Sequence, residues 1–229
     1  MSKALVVLSG GQDSTTCLFW ALEKYDSVSA LTFNYNQRHK IELESATKIA
    51  KLAGVPHRIV DMGPIFGGVS PLTNYDHEVE EYTDAESLPG GLENTFVPGR
   101  NILFLTVAGS QAYVDGADSI ILGVSEEDFG GYPDCREDFI RKMEAALASG
   151  LDKPIKIETP LVHLNKKQTV ELAQSLLGCM EALAFSHTCY NGAVPPCGTC
   201  HACLLRARGF AQAAVPDPLV ERLKNETAA

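Results

Sequence analysis

Positive charge is scarce in this chain, and so are long apolar runs. Lysine and arginine number 19 against 29 aspartates and glutamates, a formal net charge of −10 at pH 7. No run of five or more basic residues occurs. Nonspecific nucleic-acid binding relies on many such residues displacing counterions, so a direct nucleic-acid partner is not expected. A pocket for a small anion needs positive charge only locally. No apolar stretch approaches the ~20 residues that cross a bilayer, which removes a membrane partner from the expectations. The opening Met1-Ser2-Lys3 and the few apolar residues after it are too short for a signal peptide, so a cytoplasmic location is expected. In that reducing compartment the seven cysteines are not read as disulfides.

What is present is the make-up of a globular protein: 229 residues, 45% hydrophobic and 21% charged, enough for one α/β domain with an appendage. Ala4 to Leu8 is a continuous apolar run of the kind a parallel strand buried on both faces requires. Ser9-Gly10-Gly11 follows and permits a sharp turn. Asp13 and Ser14 are good helix caps, and Cys17, Leu18, Ala21 and Leu22 recur at helical spacing. Strand, glycine loop and helix in that order converge free N–H groups on an anion site. Two familiar phosphate loops are excluded by what is missing. A Walker A loop needs a Lys before Ser/Thr, and a dinucleotide fingerprint needs three spaced glycines. Ser9 to Ser14 instead resembles the Ser-Gly-Gly-x-Asp-Ser loop of the ATP pyrophosphatase (PP-loop) family, which implies that the β- and γ-phosphates of ATP are held here and the α-phosphorus left open. The plainer reading is a tight βα turn with a good cap.

Strands are expected at Val28 to Tyr35, His57 to Val60, Ser119 to Val124 and Ile155 to Pro160, with a helix over Ile41 to Ala53. Strands alternating with helices predict a parallel five-stranded, Rossmann-like sheet with helices on both faces and a ligand at the carboxyl ends of its strands. Asn36, Gln37, Arg38 and His39 face that edge, where Arg38 is a phosphate contact or a solvated charge. Residues 61–99 are irregular and acidic, a lid or oligomer contact on one reading and a solvated insertion on the other. Asn101 is expected to cap the next helix, with Arg100 beside it binding an anion or pairing with a nearby acid. In the loop from Ser125 to Arg136, Phe129 and Tyr132 offer flat faces and Asp134 a carboxylate, a set that suits a guanine-like base. Equally, these aromatics pack the loop and Asp134 caps the following helix. Asn165 is expected to cap a helix from Lys166 to Gly178, and Lys166 at its start suits an anion more than Lys167 does.

Cys189, Cys197, Cys200 and Cys203 are separated by seven, two and two residues, and flanking Gly192, Pro195, Pro196 and Gly198 supply turns. Four thiolates with no open position describe a structural zinc site. An iron–sulfur cluster, a ligand swap with His187 or His201, and a redox pair are the alternatives. Cys17 and Cys179 read as core residues, and Cys135 lacks a paired base for a nucleophile.

The N-terminal loop and the C-terminal cysteines together, with Val97-Pro98-Gly99-Arg100-Asn101 and Gly131-Tyr132-Pro133-Asp134-Cys135-Arg136 between them, closely resemble the 7-cyano-7-deazaguanine synthase family along nearly the whole chain. The resemblance implies an adenine nucleotide α-hydrolase-like domain over 1–185, with 61–99 as its lid-like insertion, and a zinc-binding segment over 186–229. It implies an ATP-dependent ligase that adenylates 7-carboxy-7-deazaguanine, admits ammonia to give an amide, and expels the amide oxygen to leave the nitrile, a queuosine precursor. Carried over with it are ATP contacts at Leu8, Ser9, Gly10, Gly11, Gln12, Asp13, Ser14, Thr15, Thr16, Cys17 and Leu18. Catalytic roles fall on Asp13, Arg100 and Lys166, and substrate contacts on Tyr132 and Asp134. Structural zinc sits on the four cysteines, Mg-ATP is the cosubstrate, and a homodimer is expected. A PP-loop tRNA-thiolating enzyme is the alternative; it needs a basic surface, which the net charge opposes.

Overall fold

In the computed structural model, residues 1–88, 91–126 and 131–228 are described. Five strands, β1 (Lys3–Val7), β2 (Ser27–Asn34), β3 (His57–Asp61), β4 (Ser119–Leu122) and β5 (Lys156–Glu158), form one sheet in the order β3-β2-β1-β4-β5. Every pairing is parallel, with Val7 opposite both Leu31 and Leu122. Successive side chains of a strand point to opposite faces, and β1 buries both sets. Leu5 and Val7 join one core cluster, whereas Ala4, Val6 and Leu8 join the other.

Helices cover both faces. α1 (Gln12–Lys24), α2 (Ile41–Leu52), α5 (Lys166–Ser175) and α6 (Cys179–Leu183) place Cys17, Leu18, Ile49, Val170 and Leu183 against the Val6 side. α3 (Arg100–Asp115) and α4 (Glu137–Leu151) place Leu105, Ala108, Ile140 and Leu147 against the Leu5 side. α7 (His201–Gln212) and α8 (Pro218–Ala228) complete the chain. The strand order reverses between β1 and β4, so the loops leaving their carboxyl ends diverge and open a crevice there.

Three helix starts separate the expected caps. Asn165 does cap α5, accepting from Gln168 N–H in a reciprocal capping box. Asp13 and Ser14, however, lie inside the first turn of α1, whose N-cap is Gly11 with no side-chain bond. Asn101 likewise lies inside α3, which starts one residue earlier behind Gly99 at φ +78°. In both cases glycine takes the chain into the helix, leaving the polar residues free to act elsewhere.

The 61–99 insertion is not simply solvated. Phe66, Leu72, Val79 and Val97 belong to the Leu5-side core. Glu81 forms an antiparallel bridge with Cys200, and Tyr82 N–H donates to the Thr199 carbonyl at 2.9 Å. Pro89 and Gly90 lie outside the described residues.

Candidate active site

The loop after β1 is pressed onto α2. Gly10 has φ +92°, and a Cβ there would collide with the Glu42 carbonyl and lie 2.7 Å from Ala46 N. The loop is then braced from within: Ser9 N–H donates to Ser14 Oγ at 3.1 Å, the two hydroxyls lie 2.9 Å apart, and Gly11 N–H donates to Ser9 Oγ. From behind, His187 N–H donates to the Gly10 carbonyl at 2.9 Å. An uncapped α1 start leaves its first-turn N–H groups directed out of the helix end, with the positive pole of its dipole. Gln12 is 1% exposed, and neither polar atom of its side chain has a partner. Buried amides are normally satisfied, so that side chain is preset for a ligand.

Opposite the loop, Lys166 Nζ donates to Asp13 Oδ2 at 2.7 Å, while Asp13 Oδ1 is buried without a partner. The start of α5 is held close by α7, because a Cβ on Gly209 would fall 2.7 Å from Lys166 Cβ. Lys166 thus lies on the cavity wall, paired with Asp13. Lys167 is an ordinary surface residue, pairing with Glu171 at 3.5 Å.

The far wall carries Arg100, at the first position of α3. Burial opposes its charge, but Tyr35, Tyr132, Asp134 and Tyr190 around it outweigh that and hold its pKa above the ordinary arginine value. Phe33 and Phe104 stack at 4.2 Å between centroids, and Tyr35 meets Phe104 edge-on at 5.3 Å. All of these except Asp134 line one cavity of about 250 Å³, together with Leu8, Ser9, Gly11, Gln12, Asp13, Ser14 and Lys166.

Other expectations come out differently. Asp134 does not line the cavity: its Oδ2 accepts from Asn101 N–H at 3.2 Å, and Asn101 Nδ2 donates to its carbonyl. The acid therefore caps the first turn of α3 from another segment, and not the helix that follows it. Tyr132 does line the cavity, with its hydroxyl 2.6 Å from Thr95 Oγ1. Phe129 lies outside the described residues. Arg38 binds no phosphate pocket; it donates to the carbonyls of Pro71, Tyr75 and His77 and so organises the insertion. Thr15, Thr16, Cys17 and Leu18 are buried in α1 and are absent from the cavity wall among the described residues. Thr15 and Thr16 hydroxyls bond back to Gly11 and Gln12 carbonyls, so these four support the loop. Burial pushes the Cys135 thiol up to about 12, which suits an inert residue.

A family model for the queuosine biosynthesis protein QueC matches residues 3–214. The chain belongs to the QueC family. Similar curated proteins include the 7-cyano-7-deazaguanine synthase of Chromobacterium violaceum, 54% identical over 98% of this chain and 95% of its own. Those of Laribacter hongkongensis and Gloeobacter violaceus are each 52% identical over 96% of this chain, and over 95% and 96% of their own lengths. Among solved structures, a protein described as a predicted subunit of tRNA methyltransferase from Methanocaldococcus jannaschii superposes with a TM-score of 0.50. It is 18% identical, covering 76% of this chain and 75% of that one, a likeness of fold alone.

This QueC-family chain brings its four C-terminal cysteines together as expected. The sulfurs of Cys189, Cys197, Cys200 and Cys203 lie within 4.8 Å of one another, with Cys197 and Cys203 Sγ 3.9 Å apart. Sulfurs about 2.3 Å from a tetrahedral centre sit roughly 3.8 Å apart, so this set fits one metal ion. Backbone N–H groups of Cys197 and Cys200 point at Cys189 and Cys197 sulfurs, as they do toward thiolates. Behind the cluster, buried Arg206 donates twice to Asp217, at 2.6 and 2.8 Å, and also to Ser186 and Thr188 hydroxyls.

Gln37 and His39, expected at that sheet edge, do line the cavity, whereas the sequence reading missed Glu42, Tyr190 and His201 as wall residues. His201 Nε2 lies 3.3 Å from Glu93 Oε1. Burial, then Lys166 and Arg208, hold His201 down to about 4, whereas burial and Glu80 push Glu93 up to about 7. Adjacency of Arg38-His39 to a strand's carboxyl end was the available signal for His39.

Proposed function

We propose that this chain is an ATP-dependent carbon–nitrogen ligase that converts 7-carboxy-7-deazaguanine and ammonia to 7-cyano-7-deazaguanine for queuosine synthesis. The observation that carries the reading is the meeting of the Ser9–Ser14 loop and Arg100 across a single cavity at the sheet's switch point. Relatives 52–54% identical over nearly full length bear the synthase name. In this reading the loop amides and Lys166 hold the pyrophosphate portion of ATP, and Arg100 neutralises charge near the α-phosphate or the attacking acid. Catalysis is then mainly positioning and electrostatic stabilisation. The substrate carboxylate is already ionised at neutral pH, so it attacks phosphorus without a base. Ammonia next displaces AMP to form the amide, whose oxygen is activated by nucleotide and expelled. The aromatic walls, Tyr132 among them, suit the flat deazaguanine ring. Asp134 serves it indirectly, by fixing Arg100 and Asn101.

The unpartnered Asp13 Oδ1 fits a hard cation such as Mg²⁺, which when bound would offset phosphate charge. The spacing of the four sulfurs supports structural zinc. Two parts, 1–185 with 61–99 folded over it and 186–229 on the metal, a homodimer and a cytoplasmic location complete the proposal. Mass spectrometry of a reaction with ATP, ammonium and 7-carboxy-7-deazaguanine tests it: the amide and then the nitrile should appear with pyrophosphate. Nucleotide turnover with the carboxylate unchanged would refute the reading.

A further inference from the structure

The overall reaction imposes a proton requirement. The nitrogen enters as ammonia with three hydrogens and ends in a nitrile with none. As its lone pair forms the C–N bond, the C–O bond to AMP breaks with its electrons on the phosphate oxygen, and the nitrogen must lose one proton. When the nucleotide-bound amide oxygen later leaves with its C–O electrons, the remaining two N–H protons must go as the triple bond forms. A positioned proton acceptor in the cavity is therefore needed at more than one stage.

One cavity residue has the arrangement of such a group. His39 is 3% exposed and lines the cavity; its Nε2 lies 3.2 Å from Glu42 Oε2, and its Nδ1 is buried with no hydrogen-bond partner. A carboxylate taking the Nε2 proton fixes the tautomer in which Nδ1 bears the free lone pair. Glu42 itself borders the phosphate loop, because a side chain on Gly11 would lie 3.9 Å from Glu42 Oε1. The backbone of Gly192 packs on His39 from behind, 3.2 Å from Cα to a Cβ placed there, and the Tyr190 ring lies 6.1 Å away, centroid to centroid. The titratable and charged groups facing it are thus Glu42 from α2 and Tyr190 from the segment after Cys189, with Asp13, Tyr35, Arg100, Tyr132, Cys135, Lys166 and His201 on the other cavity walls. Arg38, its chain neighbour, is engaged with the insertion carbonyls.

We infer that His39, oriented by Glu42, is the proton acceptor for the reacting nitrogen in both amide and nitrile formation. The inference rests on the reaction proposed above. His39 Nδ1 takes each proton and returns it to water before the next, so it is a catalytic residue, and Glu42 is a positioning residue.

The test uses the metal-loaded enzyme with the amide and ATP, since the amide does not titrate between pH 5 and 9. Wild type should show kcat/KM for nitrile formation falling with unit slope on the acid side, as the imidazole gains its proton. His39→Gln should lose about 100- to 1,000-fold and lose that limb, the range expected for removing a general base. It should retain ATP–pyrophosphate exchange with 7-carboxy-7-deazaguanine within about threefold, because adenylation needs no base. Glu42→Gln should show about a tenfold loss of nitrile formation, since the imidazole is no longer held in the tautomer with a free Nδ1 lone pair. Nitrile formation by His39→Gln within fivefold of wild type, a limb that persists in it, or an equal fall in exchange would each overturn the inference. Should His39→Gln not fold, nitrile formation by Glu42→Gln within twofold of wild type overturns it instead. Wild type lacking both exchange and nitrile formation would instead refute the proposed reaction.

Discussion

Replacing Gly10 by alanine is the sharpest perturbation of the phosphate loop that leaves all functional side chains in place. Two costs combine. A residue with a Cβ at φ +92° sits in the left-handed region, at roughly 1–2 kcal/mol. The new methyl also meets backbone, the Glu42 carbonyl and Ala46 N, and backbone cannot rotate away as a flexible side chain would. Overpacking of that kind costs about 1–3 kcal/mol. The sum is about 2–5 kcal/mol against a total stability of roughly 5–15, so the protein should remain folded but weakened. In urea titration the midpoint should fall by roughly 1–2 M. Relief of the clash requires the loop to lift off α2, so ATP affinity by calorimetry should drop at least tenfold, about 1.4 kcal/mol. Gly11→Ala is the control. Gly11 has φ −79°, and its Cβ would press only lightly on the Ser9 hydroxyl, at 3.3 Å, with ordinary contacts to the His187 carbonyl at 3.6 Å and Glu42 Oε1 at 3.9 Å. A cost below about 1 kcal/mol is expected there. Equal effects at the two glycines, or unchanged ATP affinity in Gly10→Ala, would refute the claim that α2 sets the loop's shape.

Lys166→Met should lower pyrophosphate release by about 100-fold, as loss of an electrostatic contact in a water-poor site does, and a rate within threefold of wild type would remove Lys166 from the chemistry. Cys200→Ala should reduce bound metal by elemental analysis and lower the melting temperature by about 10 °C; full metal occupancy would contradict the four-sulfur site. Glu93 has a folded pKa of about 7, above its unfolded value of about 4.3, so it contributes stability fully below the lower value and loses it as pH rises through the upper one. The loss from pH 4 to 8 is on the order of 3 kcal/mol. Glu93→Gln should abolish it, seen as a flatter difference in urea stability against wild type over that range.

The sheet was legible because β1 and β4 are buried on both faces and so read as near-continuous apolar runs, and because the strand–helix alternation leaves few topologies. Lys166 was legible for a related reason, since a cation at a helix start opposes the dipole unless an anion is near. Caps were harder. Asp13, Ser14 and Asn101 all have cap chemistry, but at two of the three helix starts a glycine turns the chain first, and propensity cannot rank those choices. As a cap of the helix after it, Asp134 was misread for the same local reason: its partner, Asn101 N–H, lies 33 residues earlier in the chain. The aromatic wall of Phe33, Tyr35 and Phe104 was invisible because it joins a strand to a distant helix. Helices α6 to α8 went unread where the cysteine spacing dominated the pattern.

The bond from His187 N–H to the Gly10 carbonyl joins distant parts of the chain, tying the loop after β1 to a residue two positions before the first cysteine of the C-terminal cluster. Whatever slackens the four C-terminal cysteines should therefore disturb the loop after β1 as well, so the two ends of the chain share one mechanical fate.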